Sequence, residues 1–236
     1  MTKKHIFLLL LVPFSLVSAL RPQQTNPLAG TWRSQDAGRT TLITIADGYL
    51  MQTTYEPSRF VATKGGPYKQ EAGQLRVTSE FDTADSSRVG QPDAYRFTLR
   101  DDLLTLATPS GDQTFSRIIE SPTALTGLWR ITARTVQGGQ RTPMVRGPRK
   151  TIKLLTGSRF QWVALNPETK QFFGTGGGTY TLSGGNYTES IDFFSRDNSR
   201  TGRSLTFGAA INGDEWHHTG QSSTGGAVDE IWSREK

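Results

Sequence analysis

Two short stretches of this sequence, LAGTW at residues 28–32 and LTGLW at residues 125–129, share the pattern Leu-x-Gly-x-Trp. The chain that follows them is also similar, because residues 59–83 run parallel to residues 171–195. Self-similarity of this kind indicates an internal repeat. The sequence therefore predicts two successive units of about 100 residues, each large enough for one small β-barrel or sandwich.

Short segments with alternating apolar and polar residues fill both units, and clusters of Gly, Asn, Asp, Pro and Ser separate them. In QLRVTSEF, for example, Leu75, Val77 and Phe81 share one face, while Arg76 lies on the other. A period of two is typical of antiparallel strands that bury one face. No amphipathic helical stretch of convincing length occurs, so we predict an all-β protein.

The first nineteen residues have the composition of a secretory signal peptide, with Lys3 and Lys4 before an apolar run and Ala19 at the expected cleavage site. A retained membrane anchor is the minor alternative, since a span needs about 20 apolar residues. We expect an exported protein, periplasmic or extracellular, with no stable membrane insertion after cleavage. The predicted division is 1–19 signal peptide, 20–27 tether, 28–120 first domain and 121–236 second domain.

Composition excludes several classes of function. The chain has no cysteine, which rules out disulfides, a lipid-modified cysteine anchor and cysteine metal sites. Its 27 basic residues, Lys3 and Lys4 among them, face 21 acidic ones. The basic residues are scattered along the chain and form no stripe with interleaved aromatic residues. We therefore expect no nucleic-acid partner. The motifs of serine hydrolases, zinc proteases and P-loop enzymes are also missing from the sequence.

A further pattern joins the beginning and the end of each unit. The first unit has Gly30 and Trp32 at its beginning and Arg117 at its end. The second unit has the corresponding set Gly127, Trp129 and Arg234.

This pattern resembles the lipocalins and the wider calycin group of up-and-down β-barrels. The resemblance implies two tandem antiparallel barrels, in each of which the Trp lies across the closed end and the Arg stacks on it. The second unit is also similar to the lipocalin-like secreted proteins of Bacteroidetes-type bacteria. The motifs of that similarity are GGGTYTL at 176–182, YTE at 187–189, and the Glu230, Trp232 and Arg234 of the closing E-x-W-x-R.

Glu189 is the most unusual residue of the second unit. The alternation in NYTESIDFF places it on one face with Tyr187, Ile191 and Phe193, which predicts a carboxylate inside the barrel. Such a group costs several kcal/mol unless it is paired or hydrogen-bonded. A structural ion pair with Arg203 or Arg234 would satisfy it, and a one-residue bulge would turn it outward.

A ligand in the second barrel would be the other partner for Glu189. His218, Glu230 and Arg234 are placed by their strands so that they share one cavity or its rim with Glu189. The predicted ligand-binding residues are Trp162, Tyr180, Tyr187, Glu189, Phe193, Trp216, His218 and Glu230. The first unit has no ionisable residue at the matching positions, so any chemistry belongs to the second unit.

The sequence leaves three functions open. The first is a binding module that holds a small, partly apolar ligand of unknown identity. The second is a small enzyme in which Glu189 is a general acid or base, and the third is a scaffold protein with filled barrels. We assign no catalytic residue, no metal and no cofactor. His218 could hold a metal together with Glu189 and Glu230, or it could ligate a haem. The sequence has no ligand spacing that supports either site.

Overall fold

The computed structural model describes residues 26–136 and 139–235, and there the protein consists of two closed eight-stranded antiparallel β-barrels in tandem. The predicted all-β class and barrel architecture are confirmed. The predicted signal peptide, residues 1–19, lies outside the described residues. No helix in the described part of the chain is long and apolar enough to cross a bilayer.

The first barrel is an up-and-down meander in which β9 pairs back onto β1. A short strand, β6, pairs with β4 outside the eight. The strands are β1 (Gly30–Asp36), β2 (Arg39–Ala46), β3 (Tyr49–Glu56), β4 (Arg59–Glu71), β5 (Gln74–Thr78), β6 (Phe81–Asp82), β7 (Pro92–Arg100), β8 (Leu103–Thr108) and β9 (Gly111–Arg117).

The second barrel repeats this order, and β18 closes onto β10. A three-residue strand, β11, pairs with β10 outside the eight. The strands are β10 (Gly127–Thr135), β11 (Arg141–Pro143), β12 (Lys150–Leu155), β13 (Arg159–Asn166), β14 (Gln171–Ser183), β15 (Asn186–Phe194), β16 (Ser204–Asn212), β17 (Glu215–Gln221) and β18 (Ala227–Arg234).

The repeat extends to local backbone geometry. A single 3₁₀ turn occupies the same place in each unit, Ser86–Arg88 in the first and Asn198–Arg200 in the second, and an aspartate caps each of them. Gly66 and Gly178 also have the same function in β4 and β14, because a Cβ at either position would lie 1.9 Å from a carbonyl oxygen of the chain opposite. Only glycine allows so close an approach.

One end of each barrel is covered by a tryptophan and an arginine. The Arg117 guanidinium lies 3.9 Å from the ring centre of Trp32, and that of Arg234 lies 4.4 Å from the ring centre of Trp129. Both indole N–H groups donate to a leucine carbonyl four residues earlier. The glycine two residues before Trp129 leaves room for the arginine, since a Cβ at Gly127 would lie 2.5 Å from Arg234 Nη1.

The two barrels pack against each other through the outer faces of β2 and β3 and of β12 and β13. Several polar contacts also cross the interface, among them the hydrogen bond from Thr53 Oγ1 to Gln161 Oε1 at 2.7 Å and the ion pair of Lys150 Nζ with Glu80 Oε1 at 2.8 Å. The buried apolar cluster between the barrels consists of Ala46, Tyr49, Met51, Phe81, Leu128, Ile152, Leu154, Val163 and Leu165. β12 is therefore covered on both of its faces, by the first barrel outside and by its own barrel inside.

Candidate functional site

The second barrel contains an open-mouthed cavity of about 430 Å³. It lies at the end opposite Trp129 and Arg234, neither of which lines it. Four of the eight predicted ligand-binding residues do line it, namely Trp162, Glu189, His218 and Glu230. The prediction that Arg234 shares this cavity is wrong, because its guanidinium lies on Trp129 at the closed end.

Three other predicted residues lie deeper in the barrel. Tyr180, Tyr187 and Trp216 belong to the buried apolar cluster of the barrel and form no part of the cavity wall. Tyr187 packs edge-on against Trp216, with ring centres 5.1 Å apart. These rings support the cavity lining from beneath and do not themselves face the open space.

Phe193 lies outside the barrel, although alternation predicts that it faces inward with Glu189. Its ring contacts Tyr55 and Phe60 of the first barrel, at centre distances of 5.2 and 6.2 Å. The cause is a β-bulge between β14 and β15, where Gly178 pairs with Ile191 but its neighbour Gly177 pairs with Phe193.

The bulge exchanges the two phenylalanines at the end of β15. An extra residue in one strand reverses the facing of every side chain beyond it. Phe194 therefore points into the cavity, where it packs edge-on against Trp162 with ring centres 5.7 Å apart. Alternation along β15 did not predict Phe194 as a cavity residue, because only a bulge that turns Glu189 outward was considered.

Glu189 faces inward as predicted, but its partner is a residue that the sequence analysis missed. Lys153 Nζ lies 2.9 Å from Glu189 Oε1, and both side chains are more than nine-tenths buried. Neither Arg203 nor Arg234, the two predicted partners, forms this pair. A buried ion pair of this geometry offsets part of the cost of removing both charges from water.

Lys153 faces inward although both of its neighbours on β12 are apolar. Its neighbours on β12, Ile152 and Leu154, point outward and are buried in the interface between the barrels. The first barrel takes the place of solvent on this face of β12, so the usual pattern of apolar residues inside and polar residues outside does not apply to this strand. The repeat offers one clue, since Lys153 pairs with Trp129 just as the inward-facing Ile43 pairs with Trp32.

Aromatic rings surround the Lys153 ammonium group. Its Nζ lies 5.1 Å from the ring centres of Tyr187, Trp216 and Trp232, and 5.7 Å from that of Phe160. Cation–π attraction at such distances stabilises a desolvated ammonium by about 2 kcal/mol. The position of Lys153 is thus set from two directions, by Glu189 and by the rings.

His218 is buried with no hydrogen-bond partner on either ring nitrogen. Its Nδ1 lies 3.8 Å from Glu230 Oε2, which is longer than a hydrogen bond. Burial and the positive charge of Lys153 lower the pKa of His218, so the ring is neutral at neutral pH. A neutral imidazole offers one donor and one acceptor to the cavity.

Glu230 connects the deep part of the cavity to its open end. Its carboxylate accepts a hydrogen bond from Trp232 Nε1 at 3.1 Å and pairs with Arg134 Nη2 at 3.1 Å. Burial alone would raise its pKa, but the nearby His218, Arg134 and Lys153 outweigh that effect, and the pKa is lowered. Glu230 is therefore a carboxylate at neutral pH.

The rim of the cavity, defined here as Arg134, Arg149, Arg196 and residues 222–224, is rich in arginine. Arg149 stacks on Phe173, with its guanidinium carbon 3.8 Å from the ring centre. Arg196 donates from Nε to the Phe173 carbonyl oxygen at 2.7 Å and lies 5.9 Å from the ring centre of Trp162.

No protein-family model matches the chain, and no curated protein matches it either.

Within residues 26–136 and 139–235, no group of three histidine or acidic side chains is arranged to hold a metal ion. The geometry of the second barrel is consequently the basis for a functional conclusion.

Proposed function

We propose that this protein is an exported, lipocalin-like binding protein that holds a small, partly apolar ligand in its second barrel. The cavity of about 430 Å³ is the observation that carries the proposal. Binding sites for small molecules commonly measure about 300–1,000 Å³ and combine aromatic walls with a few well-placed polar groups. A scaffold protein with filled barrels would not need this space.

The polar groups of the cavity support binding more than catalysis. Lys153 holds one oxygen of Glu189, and Arg134 and Trp232 hold the carboxylate of Glu230. These contacts keep both acids in place before a ligand arrives, which lowers the cost of binding. The unpaired ring nitrogens of His218 remain as the groups for a polar atom of the ligand.

The same proposal includes the family kinship, the export and the domain bounds of the protein. Kinship with the lipocalin-like secreted proteins of Bacteroidetes-type bacteria rests on the motifs around residues 176–182 and the closing Trp232 and Arg234. Export with cleavage after Ala19 rests on the composition of the first residues. The proposed domains are residues 28–120 and 121–236, and the proposed partner is a small molecule rather than nucleic acid or a membrane.

A fluorescent apolar probe tests this function directly. We expect the mature protein to bind N-phenyl-1-naphthylamine saturably and Trp162→Ala to weaken that binding about tenfold, the equivalent of about 1.4 kcal/mol. The matched control is Gln52→Ala, because Gln52 occupies the position in the first barrel that corresponds to Trp162 in the second. Gln52 pairs with Lys64, and Trp162 pairs with Gly176. This control should bind as the wild type does.

The opposite results would overturn the proposal. Absence of saturable probe binding would do so, and so would equal affinities of wild type and Trp162→Ala. Native mass spectrometry of protein purified from its own host adds an independent measurement. A small molecule that co-purifies with the wild type and is depleted in Trp162→Ala would support the proposal.

A further inference from the structure

Two rim arginines, Arg149 and Arg196, are held in place by one phenylalanine. Arg149 lies on the ring of Phe173, and Arg196 is hydrogen-bonded to the main-chain oxygen of the same residue. Stacking on a ring leaves the edge of a guanidinium free, and that edge carries its N–H donors. Both side chains therefore present donors at the open end of the cavity.

Neither of these two guanidinium groups contacts a carboxylate in the described part of the chain. The third rim arginine is different, because Arg134 pairs with Glu230. Deeper in the cavity, Lys153 and Glu189 neutralise each other. The lining thus contains two charges that no acid compensates, and both are positive and lie at the rim.

The interior of the barrel disfavours a cationic ligand. Aromatic rings attract cations, but the rings of this barrel already surround the ammonium group of Lys153. A second cation near them would meet the charge of Lys153 and then those of Arg149 and Arg196. An anionic group at the rim is instead attracted by Arg149 and Arg196, and bidentate contacts between arginine and an anion are strong.

We infer, on the basis of the proposed function, that the ligand is a small amphiphilic anion whose carboxylate or sulfonate binds Arg149 and Arg196. Its planar apolar body lies against Trp162 and Phe194, which form the aromatic wall next to these arginines. A polar atom at its other end faces the ring nitrogens of His218.

Two related fluorophores separate the charge from the apolar body. Anilinonaphthalene sulfonate and N-phenyl-1-naphthylamine share their aromatic rings, and only the first has a sulfonate. We expect the sulfonate probe to bind the wild type at least tenfold more tightly at low salt. This preference should shrink as salt screens the rim charges.

The double variant Arg149→Gln/Arg196→Gln tests the assigned residues. It should weaken binding of the sulfonate probe at least tenfold and change binding of the uncharged probe less than twofold. The control Arg96→Gln/Arg100→Gln removes the same charge from exposed positions on β7 and should leave both affinities unchanged. Circular dichroism of both variants checks that the fold is retained.

The outcomes distinguish this inference from the proposed function. If both probes bind the wild type equally and independently of salt, or if the Arg149→Gln/Arg196→Gln variant keeps its affinity for the sulfonate probe, the inference is overturned and ligand binding in the barrel stands. If neither probe binds saturably, the proposed function fails and the inference falls with it.

Discussion

The interiors of the two barrels differ most at two positions where their strands correspond. The partner of the end-covering tryptophan is Ile43 in the first barrel and Lys153 in the second. In the first barrel, Tyr68 on β4 pairs with Val77. In the second barrel, the corresponding Tyr180 on β14 pairs with Glu189. An apolar contact in one barrel is thus replaced by a buried ion pair in the other.

The last two strands show the same exchange. Leu106 pairs with Gln113 in the first barrel, and His218 pairs with Glu230 at the corresponding place in the second. Leu106 belongs to the apolar core, whereas His218 lines the cavity. The prediction that the first unit has no ionisable residue at these places describes its interior correctly.

The residues just inside the open ends also differ between the barrels. The first barrel has Lys64 there, whose Nζ donates to Tyr95 Oη at 2.8 Å and lies 3.7 Å from Asp93. The second has Gly176 and Phe207 at the positions of Lys64 and Tyr95. One scaffold therefore accepts two arrangements, an apolar interior beneath a lysine–tyrosine contact or a buried ion pair beneath aromatic walls and an arginine-rich rim.

The largest effect on the free energy of unfolding should come from placing residues of the first barrel's interior in the second barrel. Lys153→Ile leaves the Glu189 carboxylate buried without its partner, and we expect the free energy of unfolding to fall by about 3–5 kcal/mol. Lys153→Ile/Glu189→Val, which installs the pair of the first barrel, should recover most of that loss. Urea unfolding followed by tryptophan fluorescence measures both.

An exposed ion pair provides the control for this exchange. Arg39 pairs with Glu56 at the surface of the first barrel, so Arg39→Ile should cost less than about 1 kcal/mol. A double variant at 153 and 189 that is as unstable as Lys153→Ile alone would show that the two barrel interiors are not interchangeable.

The bulge in β15 predicts that adjacent phenylalanines have different functions. Phe193→Ala removes a fully buried ring between the barrels and should cost about 3 kcal/mol, with probe binding unchanged. Phe194→Ala removes a half-buried ring of the cavity and should cost less stability but weaken binding of the uncharged probe severalfold. If Phe193→Ala weakened binding more than Phe194→Ala, the assigned register would be wrong.

The smallest effect is a dependence on pH that only the second barrel should show. The pKa of His218 is lowered from 6.5 in the folded protein. As the pH falls below 6.5, the unfolded chain binds a proton that the folded barrel excludes, so the free energy of unfolding decreases. His218→Leu, which installs the residue type of Leu106, should flatten this decrease.

Unfolding measured between about pH 7 and pH 5.5 isolates this histidine from the carboxylates, which titrate lower. His217→Gln is the control, because His217 is partly exposed and contacts Asp229. An unchanged pH profile in His218→Leu would contradict the burial of a neutral imidazole in the second barrel.

Local sequence determined the strands and their repetition in two units. The alternation of apolar residues predicts antiparallel strands, because strand facing depends on neighbouring residues, and the lipocalin resemblance carried by the repeated Leu-x-Gly-x-Trp and the closing arginines implies two barrels. Alternation also places Glu189 inside the second barrel, since no bulge precedes it on β15.

Tertiary structure alone decided how the site is completed. The first barrel covers the outward-facing Ile152 and Leu154, while Lys153 between them faces inward and meets Glu189. The register shift opposite Gly177 sends Phe193 to the interface and Phe194 to the cavity. In both cases the residues that cover the outward-facing side chains belong to the first barrel, more than 70 residues away in sequence, and periodicity within one strand does not encode such contacts.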